Sequence, residues 1–377
     1  MHIPPGIDQG TKLRFIFLIV KSFAGLALLL DKLGICPEYV MFRLLMKGTP
    51  AGRPSDLIIK DMLFDGVSVR VYWPKTPSPE KRRAVVWIYG GIGMFGNVES
   101  HEKLSHFLVR KSDTVVVCVR YPLAPEHPYP AQQRSCYTAV AHFLKNAQDY
   151  GVDPKRIVLA GDSSGGTIAA SIAQQLVTTK DLPQLRGHIL LYPFLQCLDF
   201  NLPSYQQNRS VPLLTKELAI RHGTVYISGR RDRANEIMAN AHVPQEFMRK
   251  YQNWINVELI PEEFKSRGYV PFVPGRVSEE LFTKCQMIFE PTFSPLLAED
   301  AIIQKFPETF LLTCEYDIFR DDGLLYKKRL EDNGVPVTWV HLKEGFHGIS
   351  MMIGMGLLEF PGTRKSLNSV IQFLQRF

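Results

Sequence analysis

Arg156-Ile157-Val158-Leu159-Ala160-Gly161-Asp162-Ser163-Ser164-Gly165-Gly166 is the stretch on which the fold turns. Its opening is a short apolar run, the pattern of a strand buried on both faces. Small residues follow, and a helical pattern then runs from residue 167 to about 177. Gly161-Asp162-Ser163-Ser164-Gly165 fits G-x-S-x-G. That motif is a sharp strand-to-helix turn with small residues on either side, which exposes the serine hydroxyl at a helix N-terminus. The same letters also describe an ordinary small-residue turn. The position between a strand and a helix gives the match its weight.

Working outward, strand-like and helix-like segments alternate. Residues 57–63 and 67–73 flank Phe64-Asp65-Gly66, the tip of a hairpin. Residues 84–88 and 114–119 are continuous apolar runs, and a helical pattern covers 131–146. Further strands are expected at 188–191, 309–313 and 337–342. This rhythm predicts an α/β protein: a mostly parallel, twisted sheet with helices on both faces. From about 198 to 291 strand signal is scarce, while 212–226 and 244–253 read as helices. So long an interruption predicts an insertion folded over the sheet edge as a helical cap. The domain reading is N-terminal helices over 1–50, facing cap or membrane, then one domain over 51–377 with the cap insertion at about 198–291.

Composition narrows the function classes. The 377 residues are 45% hydrophobic, ample for a large core. Net charge is +7, but no run of five or more Lys/Arg forms a nucleic-acid patch. Six cysteines lie far apart without a CxxC spacing, so no zinc site is expected. Asn208-Arg209-Ser210 is a glycosylation sequon, of consequence only in the secretory pathway. Residues 15–30 are apolar except for Lys21 and Ser22. That run is shorter than the roughly 20 residues of a span, and a central lysine is costly there. It also starts too far in, behind Pro4-Pro5, for a signal peptide. A buried or membrane-skimming helix is the expectation.

A serine nucleophile needs a base, and the base an orienting carboxylate. In this chain order the acid and then the histidine follow the serine, each after a late strand. Asp317 stands just past the strand ending at Thr313, and His347 just past the one ending near Leu342. Asp321 and Asp322 compete for the acid role but read as first-turn helix acids opposite the macrodipole. His341 lies inside a strand and reads as structural. His101, His106, His127 and His142 read as lying in helices or loops without a paired acid at hand.

Trp87-Ile88-Tyr89-Gly90-Gly91-Ile92-Gly93-Met94-Phe95-Gly96-Asn97 follows the early strand. A phosphate-binding turn would need Lys-Ser/Thr on a following helix, or an acid about twenty residues on, and neither is present. The loop is instead expected to offer the backbone N–H groups of Gly90 and Gly91 to an oxyanion, joined by the N–H of Ser164. Ile92 poses a choice, since a β-branched residue resists φ > 0. Either it keeps a negative φ and the loop still presents its N–H groups, or the loop is reshaped and one donor turns away.

Several stretches together resemble the hormone-sensitive-lipase-like α/β-hydrolases, and within them the arylacetamide deacetylase group. They are Gly161 to Gly166; Arg120-Tyr121-Pro122-Leu123-Ala124-Pro125-Glu126-His127-Pro128-Tyr129-Pro130-Ala131; Ser294-Pro295-Leu296-Leu297-Ala298; Tyr316-Asp317 with Arg320-Asp321-Asp322-Gly323; and Gly345-Phe346-His347-Gly348. The resemblance runs from about residue 84 to the end. It implies an α/β-hydrolase fold and a serine carboxylesterase acting on short-acyl or lipophilic esters, amides or neutral lipids under a helical cap. No metal or organic cofactor is implied. It also implies membrane association facing the endoplasmic reticulum lumen, with this chain starting just after the group's signal anchor. Two further readings are a neutral-lipid or cholesteryl-ester hydrolase, and a weakly active or non-catalytic binding protein of the same fold. The group's His-Gly-Gly-Gly is Tyr89-Gly90-Gly91-Ile92 here. Met94 stands where the group often carries a cysteine, a disulfide partner that Cys314 would then lack.

Overall fold

A computed structural model describes residues 3–47, 51–229, 233–273 and 275–377. Among them, the apolar runs become the eight strands of one sheet. These are β1 (Leu57–Phe64), β2 (Val67–Pro74), β3 (Arg82–Ile88), β4 (Val115–Val119), β5 (Val152–Asp162), β6 (Gly187–Leu191), β7 (Glu308–Tyr316) and β8 (Val337–Phe346). Their order across the sheet is β1-β2-β4-β3-β5-β6-β7-β8. The hairpin β1–β2 is antiparallel, and β2 pairs antiparallel with β4; every pairing beyond is parallel. Asp65 (φ 46°) and Gly66 (φ 85°) form the two-residue hairpin turn, whose positive φ angles match the twist of the flanking strands.

Burial follows position. Every residue of β4 and β6 is buried, whereas β1 at the edge is buried only at its two ends, Leu57 and Phe64. Central strands with helices on both faces have no wet side, so Val, Ile and Leu fill them, each worth about 1.5–3 kcal/mol of burial. Helix Ser164–Leu176 follows β5 and is buried along most of its length. Helices Arg320–Asp332 and Pro361–Leu374 follow β7 and β8.

Between β6 and β7 no strand occurs among the described residues. Short helices fill the interval, the longest being Lys216–Ser228. It starts later than its sequence pattern suggests because Thr215 caps it, accepting from the Leu218 N–H at 3.1 Å. Gly229 (φ 70°) ends it.

The N-terminal apolar run corrects one expectation. Its helix spans Gly10–Lys32, 23 residues, and is long and apolar enough to cross a membrane by length and composition. The length objection to a span therefore falls, and Lys21 remains. Only Leu13 and Ala27 are buried in it, while Phe15, Leu18, Ile19, Leu26, Leu28 and Leu29 are exposed.

Candidate active site

The strand ends deliver the site. β5 stops at Asp162, and Ser163 turns the chain with φ 53° and ψ −127°, a strained geometry for a serine. Two glycines allow it. A Cβ on Gly161 would lie 2.3 Å from the Gly165 carbonyl oxygen, and one on Gly165 would lie 2.2 Å from the Ile88 carbonyl oxygen. The Ser163 N–H is fixed by the Leu191 carbonyl at 2.9 Å.

Asp317 follows β7 and His347 follows β8, and the structure brings both to Ser163. His347 Nε2 lies 2.8 Å from Ser163 Oγ, and His347 Nδ1 lies 2.8 Å from Asp317 Oδ2. The other Asp317 oxygen accepts the Phe319 N–H at 2.9 Å. The Asp317 side chain is fully buried, so its charge is held by the imidazole and the backbone rather than by water. The His347 ring is flanked by Tyr192 at 5.0 Å and Phe319 at 5.3 Å between ring centroids. With Nδ1–H donated to the carboxylate, Nε2 is left to accept the serine proton.

The glycine loop departs from expectation in two ways. The Gly90 N–H donates to Asp162 Oδ1 at 3.2 Å and is therefore committed to a carboxylate. No acceptor is found among the described residues for the N–H groups of Gly91 and Ile92. The donor set open to a ligand is thus Gly91, Ile92 and Ser164, the last an orphan of the first helical turn. Ile92 itself takes φ 57°, between Gly91 (φ 111°) and Gly93 (φ 66°). It does not keep a negative φ. It adopts the glycine conformation, at a cost of about 1–3 kcal/mol.

Several supports have no local signal in the sequence. Asp162 Oδ1 also accepts from Trp87 Nε1 at 3.1 Å and faces His101 Nε2 at 3.0 Å. His101 thus has a paired acid, 61 residues away, and His142 has one in Asp65 at 2.8 Å. Asn208 is buried, and its Nδ2 donates to the Glu315 and Asp317 carbonyls at 3.0 and 2.9 Å. The sequon asparagine holds the acid loop and faces no solvent. Asp321 and Asp322 do sit in a first helical turn, but buried: Asp321 pairs with Arg320, and Asp322 accepts from Leu195 N–H, Gln196 and Tyr205. All six cysteines are free. Among the described residues no cluster of His, Cys, Asp or Glu could hold a metal.

Beside Ser163 opens a cavity of about 80 Å³ with almost wholly apolar walls. Ile92, Phe194, Tyr226, Phe293 and Phe319 line it with Ser163, and Phe200, Tyr205, Ile220, Ile237 and Ile288 add walls from the segment between β6 and β7.

The family described as alpha/beta hydrolase fold matches residues 85–253 and 276–351. Mouse arylacetamide deacetylase-like 3 is 39% identical over 378 residues, covering all of this chain and 92% of the relative. The chain belongs to the arylacetamide deacetylase group of the α/β-hydrolases. Bovine arylacetamide deacetylase is 36% identical, covering 92% of this chain and 88% of its own length. Among solved structures, a thermostable esterase from Pseudomonas putida aligns with TM-score 0.66 at 21% identity, covering 99% of this chain and 98% of that one. A hyperthermophilic esterase from Pyrobaculum calidifontis aligns with TM-score 0.64 at 22% identity, covering 100% and 93%. At such identities the two structures speak for the fold.

Proposed function

We propose that the protein is a serine carboxylic ester hydrolase working through an acyl-enzyme on short-acyl, lipophilic esters or amides. The observation that carries this reading is the unbroken hydrogen-bonded row Ser163–His347–Asp317 at 2.8 Å per link. Ser163 Oγ attacks the substrate carbonyl carbon while His347 Nε2 takes its proton. Asp317 holds the imidazole and stabilises the imidazolium. The carbonyl electron pair moves onto oxygen, which meets the N–H groups of Gly91, Ile92 and Ser164. As the tetrahedral adduct collapses, the bond to the leaving oxygen or nitrogen breaks and His347 returns the proton to it. Water then attacks the acyl-enzyme by the same route, releasing the acid and restoring Ser163.

The small apolar cavity favours a short acyl group over a bulky sterol or long chain. We read residues 198–291 as the cap, since they supply much of the cavity wall. An exposed apolar helix at Gly10–Lys32 supports docking on a membrane surface, in keeping with an endoplasmic reticulum location. Lys12 of that helix donates to the Glu359 carbonyl at 2.9 Å and lies over the Phe360 ring, which favours a helix lying on the protein body. The test is labelling with a fluorophosphonate probe: the protein should label and Ser163→Ala should not. Labelling that persists in a folded Ser163→Ala protein would refute the assignment.

A further inference from the structure

The turn that carries Ile92 is gripped from outside by the second N-terminal helix, Glu38–Lys47. Arg43, on helix Glu38–Lys47, donates from Nε to the Met94 carbonyl at 2.8 Å and from Nη2 to the Ala124 carbonyl at 2.7 Å. The same guanidinium is bidentate to Glu126, at 2.8 and 2.7 Å. Met94 and Phe95 both donate their N–H groups back to the Gly91 carbonyl at 2.9 Å, which closes the turn around Ile92. Ala124 gives its own N–H to the Gly93 carbonyl at 2.9 Å. Phe42, next to Arg43, packs its ring on Phe95 at 5.7 Å. One rigid fork with five donors thus ties two backbone segments and a carboxylate together, which a lysine ammonium cannot reproduce.

An L-residue stays at positive φ only where its surroundings over-determine it. Gly91 and Gly93 adopt such angles without strain; Ile92 does not. We propose that Arg43 is a positioning residue for the hydrolysis: it holds Ile92 at positive φ and so keeps the N–H groups of Gly91 and Ile92 aimed at the oxyanion. This rests on the reading of those two N–H groups as oxyanion donors. It makes helix Glu38–Lys47 part of the catalytic unit, although the family match begins only at residue 85.

The experiment is steady-state kinetics of the full chain on a soluble p-nitrophenyl short-acyl ester, with thermal melts alongside. The variants are Arg43→Met, Arg43→Lys, Ile92→Gly, and Ile92→Gly combined with Arg43→Met. Arg43→Met should lower kcat at least about tenfold with KM within about threefold, the signature of an interaction made in the transition state. Arg43→Lys should not restore it. In the Ile92→Gly background the same Arg43→Met change should cost less than about threefold, because glycine needs no brace there. A merely structural arginine would cost the same in both backgrounds, and that result, or no loss at all, overturns the inference. If Arg43→Met fails to fold, Glu126→Gln loosens the brace from its other end. It must show the same kcat loss, suppressed by Ile92→Gly, or the inference falls. Wild-type turnover unaffected by Ser163→Ala would instead show that the serine hydrolase reading has failed, and this inference with it.

Discussion

His101 Nε2 lies 3.0 Å from Oδ1 of Asp162, the residue before Ser163, and both side chains are buried. The same oxygen takes the Trp87 indole N–H and the Gly90 N–H, so one carboxylate joins β3, the glycine loop and the Ser163 turn. His101→Phe removes a donor from a buried acceptor, and chemical denaturation should show a loss of about 1–3 kcal/mol. In an Asp162→Ala background the same change should cost much less, because its partner has gone. Equal losses in the two backgrounds would mean that the pair is not coupled.

Ser163, His347 and Asp317 should fail together. His347→Ala and Ser163→Ala are each expected to remove nearly all ester turnover, and the double variant should be little worse than either, since such groups are grossly non-additive. Two single losses that simply multiply in the double variant would break the assignment.

Glycines separate shape from function. Gly165→Ala would set a methyl group 2.2 Å from the Ile88 carbonyl oxygen, which as backbone cannot swing aside; a loss of about 3 kcal/mol is expected. Gly223, in helix Lys216–Ser228, has nothing within 4 Å of an added Cβ and lines the cavity. Gly223→Ala should therefore stabilise the fold by about 0.8–1 kcal/mol while sharpening the preference for acetyl over longer acyl esters. Melting curves and a chain-length series decide both halves. A lower Tm for Gly223→Ala would contradict the open space beside it.

Acid should unfold the protein early. Burial alone holds the His188 imidazole down at about 3, and burial outweighs a hydrogen bond to hold His242 at about 4. Unfolded, each returns to about 6.5. Between these values the unfolded chain binds protons that the native state refuses. The stabilisation is thus complete above about pH 6.5 and is lost as pH falls toward 4, each histidine adding up to about 1.4 kcal/mol per pH unit to the slope. Urea midpoints at pH 7.5 and 5.5 measure it. His188→Phe, beside Phe306, should shrink the difference between them; an unchanged difference would show that His188 does not titrate with unfolding.

The exposed face of helix Gly10–Lys32 predicts vesicle binding without spanning. Full-length protein should float with phosphatidylcholine vesicles and be released by alkaline carbonate. Replacing exposed Leu18 and Leu29 together by Asp should abolish flotation while leaving hydrolysis of a soluble ester intact. Retention in the carbonate pellet would favour a span instead.

The central strands are readable because buried parallel strands are short continuous apolar runs, whereas the longer apolar run at 15–30 belongs to a helix. Their ends were less so. β7 and β8 run on through Tyr316 and Phe346, which pair only after an irregularity in register, and polar Glu315 and Lys343 hide that extension. Ser163, Asp317 and His347 were within reach because each stands where a strand stops. Arg43, His101 and Asn208 were not, since they act on partners 51 to 109 residues away, and nothing local marks such a meeting. The positive φ of Ile92 is likewise set by what surrounds it, against its own preference.

The sheet order also sets when chemistry can start. His347 follows the edge strand β8 and stands 184 residues after Ser163. A ribosome adding about 5–20 residues per second needs on the order of 10–40 s to cover that interval. Throughout it the nascent chain carries a serine with no base beside it, an ordinary alcohol. On the proposed mechanism hydrolysis begins only when the last strand of the sheet docks, and a transcript cut short before β8 yields an inert protein however well its first seven strands fold.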